Sequence, residues 1–300
     1  MKKILGYIAS FFSQIDKRVL VLSPVLASLA VFINYYVGLN HRINSLNETA
    51  QYLSWFAVFF LAFGLPYLFA AILLRLPLFK QPSFLMLLVM APAIFAWKMS
   101  GSVAFELSES TLYDTYYNDV LYWPTKLFVV ATALFIIWLL FDKKQQPFYG
   151  ISIKNFHPQP YLIMLLIMVP LIAAACTQAD FLAVYPKLHN ISYLPQHQNT
   201  RWYKLLYELA YGSDFITIEL LFRGFLVLAF VKFAGKNAIL PMAVFYCTIH
   251  FGKPLGECIS SFFGGMLLGI ITYHTRNIFG GLMVHLGIAW MMELGGYLAQ

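Results

Sequence analysis

The chain has 300 residues, of which 60% are hydrophobic and 11% charged, with a mean hydropathy of +0.71. Only surroundings as apolar as lipid suit that balance, which excludes an ordinary water-soluble domain and predicts an all-α, polytopic transmembrane helix bundle. The net charge of +7 is spread between apolar runs and forms no basic stripe, so nucleic acid is not an expected partner and membrane lipid is.

The amino end, Met1 to Arg18, carries Lys2 and Lys3, a short mixed apolar stretch and then Asp16-Lys17-Arg18, without an obvious cleavage site. It reads as an interfacial helix leading into an uncleaved first span. Apolar runs follow at about 19–39, 52–74, 83–100, 125–141, 160–179, 206–231, 238–252, 257–274 and 278–298. Most approach the roughly 20 residues that a bilayer requires, and because 238–252 is short the expected count is eight or nine. Pro66, Pro92, Pro170, Gly264 and Gly265 lie inside these runs, where neighbouring helices can recover lost backbone contacts. Cys176, Cys247 and Cys258 have no metal or redox spacing and read as small core residues.

With nine spans, one side receives Lys2, Lys3, Lys17, Arg18, Arg75, Lys80, Lys143, Lys144, Lys154, Lys232, Lys236 and Arg276, against only Asp16 and Asp142. The other receives Glu48, Glu106, Glu109, Asp114, Asp119, Asp180 and Glu208. The excess of basic residues puts the amino terminus in the cytoplasm and the carboxyl terminus outside. The long polar stretches 101–123 and 180–204 then face outward, as solvated caps with interfacial aromatics, and neither has a catalytic spacing. The expected organisation is residues 1–200 as amino-terminal transmembrane helices and outer loops, and 201–300 as a functional core.

That core is singled out by buried polar residues, one group per helix. Glu219 and Arg223 are four residues apart within an apolar stretch, hence on one helical face. A charge at a helix centre in a bilayer costs at least about 2.5 to 3.5 kcal/mol, so such residues line a bundle interior, a cavity or a reaction site. Tyr246 and His250 share a face by the same spacing, with Lys253, Pro254 and Glu257 just beyond. His285 stands one turn before Ala289 and about two before Glu293. At about 1.5 Å per residue from Lys232, Lys236 and Arg276, Glu219, His250 and His285 lie roughly 20, 21 and 14 Å deep. Similar depths permit one constellation, although either histidine alone is as readily an interhelical hydrogen-bond partner, and Glu219 and Arg223 could simply neutralise each other. Gly265 and Gly269 read as a close helix contact.

Ile218-Glu219-Leu-Leu-Phe-Arg223-Gly, Tyr246-Cys-Thr-Ile-His250 and His285-Leu-Gly-Ile-Ala289 resemble the three motifs of the CPBP family, also called Abi or CAAX prenyl protease type II proteins. That family is marked by EExxxR, FxxxH and HxxxN or HxxxD, each on its own helix, and the resemblance covers about residues 205–298. It implies an intramembrane endopeptidase, a hydrolase commonly labelled a metalloprotease, acting on membrane-associated protein or peptide substrates. In the family the first glutamate activates water, and here that position is Ile218, which can neither take a proton nor bind a metal. Ala289 replaces an amide or carboxylate, and Tyr246 replaces phenylalanine. Either Glu219 takes over, with its helix turned by about 100° per residue of register, or the protein is not a peptidase.

On the favoured reading Glu219 works with His250 to activate water, His285 stabilises the oxyanion or donates a proton, and Arg223 holds the carboxylate. Asp214, Tyr246, Lys253, Glu257 and Glu293 are supporting candidates. Glu219, His250 and His285 would also serve as a set for Zn²⁺ with one open position, while a glutamate and a histidine can activate water unaided, and there is no HExxH helix. The alternatives are an inactive family member acting as a membrane scaffold, and a transporter using the buried Glu, Arg and His residues. The expected location is a bacterial plasma membrane, crossed many times.

Overall fold

A computed structural model describes residues 1–152, 156–195 and 200–299. Lys154, one of the basic residues used for orientation, and the part of the second polar stretch at 196–199 lie outside the described residues. Among those described there is no strand, and the chain is all-α. The longer helices are α1 (Lys2–Gln14), α2 (Lys17–Val37), α3 (Glu48–Leu74), α4 (Pro82–Ser100), α5 (Thr111–Phe141), α6 (Gln159–Ala175), α7 (Thr200–Ile218), α8 (Ile239–Thr248), α9 (Leu255–Thr275) and α10 (Phe279–Leu298). Between α7 and α8 runs an eleven-residue π-helix, Glu219–Ala229.

Helices α2, α3, α4, α5 and α9 are long and apolar enough to cross a membrane, and a sixth span results if α6 and Ala179–Ile191, bent by 98°, count as one. The remaining expected runs are helical but differ for physical reasons. Run 206–231 changes winding at Glu219. Run 238–252 holds only the ten-residue α8, about 15 Å long. Run 278–298 is the twenty-residue α10, whose His285 and Glu293 dilute its apolar character. The chain is thus an integral membrane protein.

The residues fall into two compact units, 1–101 with 133–154 and 220–278, and 102–132 with 155–219 and 279–300. In the first, α8 is the centre, since all ten of its residues are buried, and α2, α3 and α9 pack around it. An apolar sequence of this kind tolerates burial on every side. Aromatic rings fill the space beside it: Phe59, Phe63, Phe95 and Phe222 all approach Phe245 with centroids 5.0 to 5.8 Å away. A Cβ at Gly265 would come within 2.7 Å of the Tyr246 ring, and one at Gly269 would meet Met242. The expected close helix contact is therefore α9 against α8. The Cys247 and Cys258 thiols donate to each other's backbone carbonyls at 3.3 and 3.7 Å, as core residues.

Two polar anchors frame this unit. Asp16 caps α2 by accepting from the Arg18 amide at 2.8 Å, and its hydrogen bond to the Arg18 side chain holds its carboxyl down at about 2. Asp142, fully buried, accepts from Tyr149 Oη at 2.8 Å and from Lys232 Nζ at 2.7 Å, which ties down the chain just after the π-helix.

In the second unit α10 packs against α6 and α7. Helix α5 starts fourteen residues before the expected span, at Thr111, so much of the acidic polar stretch is helical. Tyr116 is not an interfacial aromatic there but fully buried, donating its hydroxyl to the Tyr203 carbonyl at 2.8 Å within a cluster that includes Val120, Ile191, Leu194 and Tyr207.

Candidate active site

Glu219 is placed by a change in winding. Helix α7 keeps ordinary α geometry through Ile218, and the π-helix begins at Glu219. Its backbone bonds close on the fifth residue, a geometry that is rare and concentrated at functional sites. Glu219 and Arg223 are both fully buried. The glycine that follows Arg223 has a local reason, since a Cβ at Gly224 would sit 2.7 Å from the Tyr149 carbonyl oxygen.

Within the second unit, Glu219 Oε1 lies 3.0 Å from His285 Nδ1. With the carboxylate as acceptor, Nδ1 is the donor and Nε2 is the ring nitrogen left to act as a base. The Phe215 ring meets the imidazole edge to face, with centroids 4.7 Å apart. Phe215 on α7 is four residues before Glu219, so one stretch of chain supplies two neighbours of His285. The histidine is 16% exposed while the carboxylate is entirely enclosed.

The first unit holds Arg223, Tyr246 and His250. The Arg223 guanidinium carbon stands 4.1 Å from the Tyr246 ring centroid, a cation–π arrangement that satisfies part of a buried charge. Tyr246 also meets the His250 ring at 4.8 Å, and His250 Nδ1 donates to the Tyr246 carbonyl oxygen at 2.9 Å. A carbonyl cannot donate, so here too Nε2 is the basic position. Both histidines have the same tautomer for different reasons.

The structure thus brings Glu219 together with His285, Arg223 with Tyr246, and Tyr246 with His250. Of the supporting candidates, Tyr246 is thus at the site, and the other four have contacts of their own. Lys253 and Glu257 pair with each other at 3.7 Å at the start of α9. Glu293 accepts from the Lys187 amide at 2.7 Å and lines a hollow with Glu208, Lys204 and Tyr297; it lies eight residues from His285, about 12 Å along the helix. Asp214 is half-buried on α7, one turn before the buried Ile218. Ala289 packs with Tyr211 and Phe215 in an apolar cluster, so the place of the family's amide or carboxylate is core.

Among the described residues no three His, Cys, Asp or Glu side chains are grouped so as to hold a metal ion. The Glu219–His285 pair supplies two donors, one short of the three protein ligands of a catalytic zinc. Sequence reasoning missed Phe215 and Gly281. The available signal was their four-residue spacing from Glu219 and His285.

Residues 203–291 match the family model described as type II CAAX prenyl endopeptidase Rce1-like, consistent with the CPBP family. The matched stretch includes Glu219, Arg223, Tyr246, His250, His285 and Ala289 and ends before Glu293. No curated protein and no solved structure matches the chain.

Proposed function

We propose that the protein is an intramembrane endopeptidase that cleaves membrane-associated proteins or peptides, with Glu219 and His285 as its water-activating pair. The observation that carries this reading is the 3.0 Å hydrogen bond between them, inside the stretch that matches an endopeptidase family. Hydrolysis needs a base for water, a stabiliser for the oxyanion and a proton for the leaving amine. Glu219 orients the imidazole through Nδ1 and stabilises the positive charge it gains. His285 Nε2 takes a proton as the water oxygen attacks the carbonyl carbon, and returns that proton to the amine when the C–N bond breaks.

This arrangement reassigns the expected roles, with His285 as the immediate base and Glu219 acting through it. Ile218 then does not abolish the chemistry, because the carboxylate one residue later has an imidazole partner. His250 and Arg223 take part on the strength of the family resemblance, as a further proton-transfer group and a positive charge. No step is routed through zinc, since the donors fall short of a set. The distribution of Lys and Arg supports an amino terminus on the cytoplasmic side of the membrane.

The test is cleavage in proteoliposomes of a defined pool of fluorescent, membrane-anchored peptides, half of them prenylated. Wild type is expected to produce new termini that Glu219→Gln, His285→Ala and His250→Ala fail to produce. Cleavage unchanged in all three would refute the assignment. Metal analysis of the purified protein, with chelation during the assay, checks the zinc conclusion: dependence of cleavage on a bound stoichiometric metal would overturn it.

A further inference from the structure

Gly281 stands four residues before His285, so the two share one face of α10. A Cβ built at Gly281 would overlap Oε2 of Glu219 and lie 3.2 Å from its Cδ. The other oxygen, Oε1, meets His285 Nδ1 at 3.0 Å. One planar carboxylate is therefore seated at two points a helical turn apart, by a hydrogen bond at one oxygen and bare backbone beneath the other. The terminal torsion of a glutamate is broad and roughly two-fold, so a contact beneath the second oxygen fixes the carboxylate plane further.

The other glycines of α10 do different work. At Gly280 a side chain would strike the Tyr161 ring, at Gly287 Leu165, at Gly295 Cys176, and at Gly296 the backbone of Tyr185 and Pro186. Those positions set how closely helices or loops pack. Of the five, Gly281 alone faces a carboxylate, in a helix that glycine weakens.

We propose that Gly281 is a positioning residue for the reaction: the recess left by its missing side chain seats Glu219 Oε2 and so aims Oε1 at His285 Nδ1. This rests on the reading of Glu219 and His285 as the water-activating pair. It predicts that the shape of the helix surface, as well as the two reacting residues, sets the rate. A displaced carboxylate would leave substrate binding alone and lower the chemical step.

The experiment compares full-length wild type, Gly281→Ala, Glu219→Asp, the double variant Gly281→Ala/Glu219→Asp, and Gly287→Ala as a packing control. Two readouts are taken: cleavage of the peptide pool in proteoliposomes, and the Nδ1–H resonance of His285 in ¹⁵N-histidine-labelled protein, assigned by its loss in His285→Ala. Gly281→Ala is expected to lower kcat roughly 10- to 100-fold with KM unchanged, as a misplacement of about 1 Å does, and to shift that resonance. Gly287→Ala should keep both. The double variant should be more active than the two single losses multiplied, because the shorter aspartate withdraws from the new methyl group. Wild-type kcat or an unmoved resonance in folded Gly281→Ala would overturn the proposal. Should Gly281→Ala not fold, the double variant decides: recovery of the fold and the resonance supports the seat, and continued failure overturns it. The resonance needs no cleavage, so a wild type that cuts nothing removes the peptidase reading while the seat is still tested.

Discussion

The two histidine stations are built on opposite principles. His285 is oriented by a side chain, the Glu219 carboxylate 3.0 Å away, whereas His250 is oriented by its own helix, through the Tyr246 carbonyl at 2.9 Å. Both arrangements leave Nε2 as the basic nitrogen. The first couples the imidazole to a carboxylate, so there a single substitution removes the orienting group and the electrostatic support together.

The sharpest way to break this contrast is Glu219→Gln, which keeps the shape and removes the charge. Cleavage should fall by about 10²- to 10⁴-fold, the range for a general base deprived of the carboxylate that orients and charges it, with little change in thermal stability; equal rates for variant and wild type would show that the carboxylate is a bystander. Ala289→Asn, which restores a family residue, is expected to lower stability by about 1 to 3 kcal/mol, because it pushes an amide into the apolar cluster of Tyr211 and Phe215 without a ready partner. Thermal unfolding in detergent checks this, and a gain in cleavage without loss of stability would contradict the packing account.

Arg223→Lys keeps the charge but loses the flat guanidinium above Tyr246, and a loss of about 0.5 to 2 kcal/mol in stability is expected. The smallest effect belongs to Tyr246→Phe. It leaves the ring beneath Arg223 and the backbone acceptor of His250 untouched, so cleavage should stay within about two-fold, the scale of changes under roughly 0.5 kcal/mol. A larger loss would mean that the phenolic hydroxyl does chemistry, which would erase the distinction between the two stations.

Much of this was legible in the residues themselves. Hydropathy alone required a helical membrane protein, and intramembrane charge pointed to Glu219, Arg223, His250 and His285. The partners were not legible. The four-residue spacing of Glu219 and Arg223 reads as α-helix, whereas the winding from Glu219 onward is π, and nothing in the local sequence announces that change. The pairing with His285 spans 66 residues, beyond any periodicity argument. Ala289 read as a missing catalytic group because sequence order shows only that an amide is absent; the structure shows the apolar neighbours that replaced it. Gly281 was overlooked because a helix-interior glycine usually signals packing, and only coordinates reveal that its neighbour is a carboxylate.

The central claim is that Glu219 and His285 act as one unit, and a double-mutant cycle on cleavage tests it most directly. Rates of the peptide pool with wild type, Glu219→Gln, His285→Ala and the double variant give the coupling between them. The account predicts that the double variant is no slower than His285→Ala alone, because groups acting as a unit lose their effect together. Losses that multiply independently would contradict it and return the carboxylate and the imidazole to separate roles.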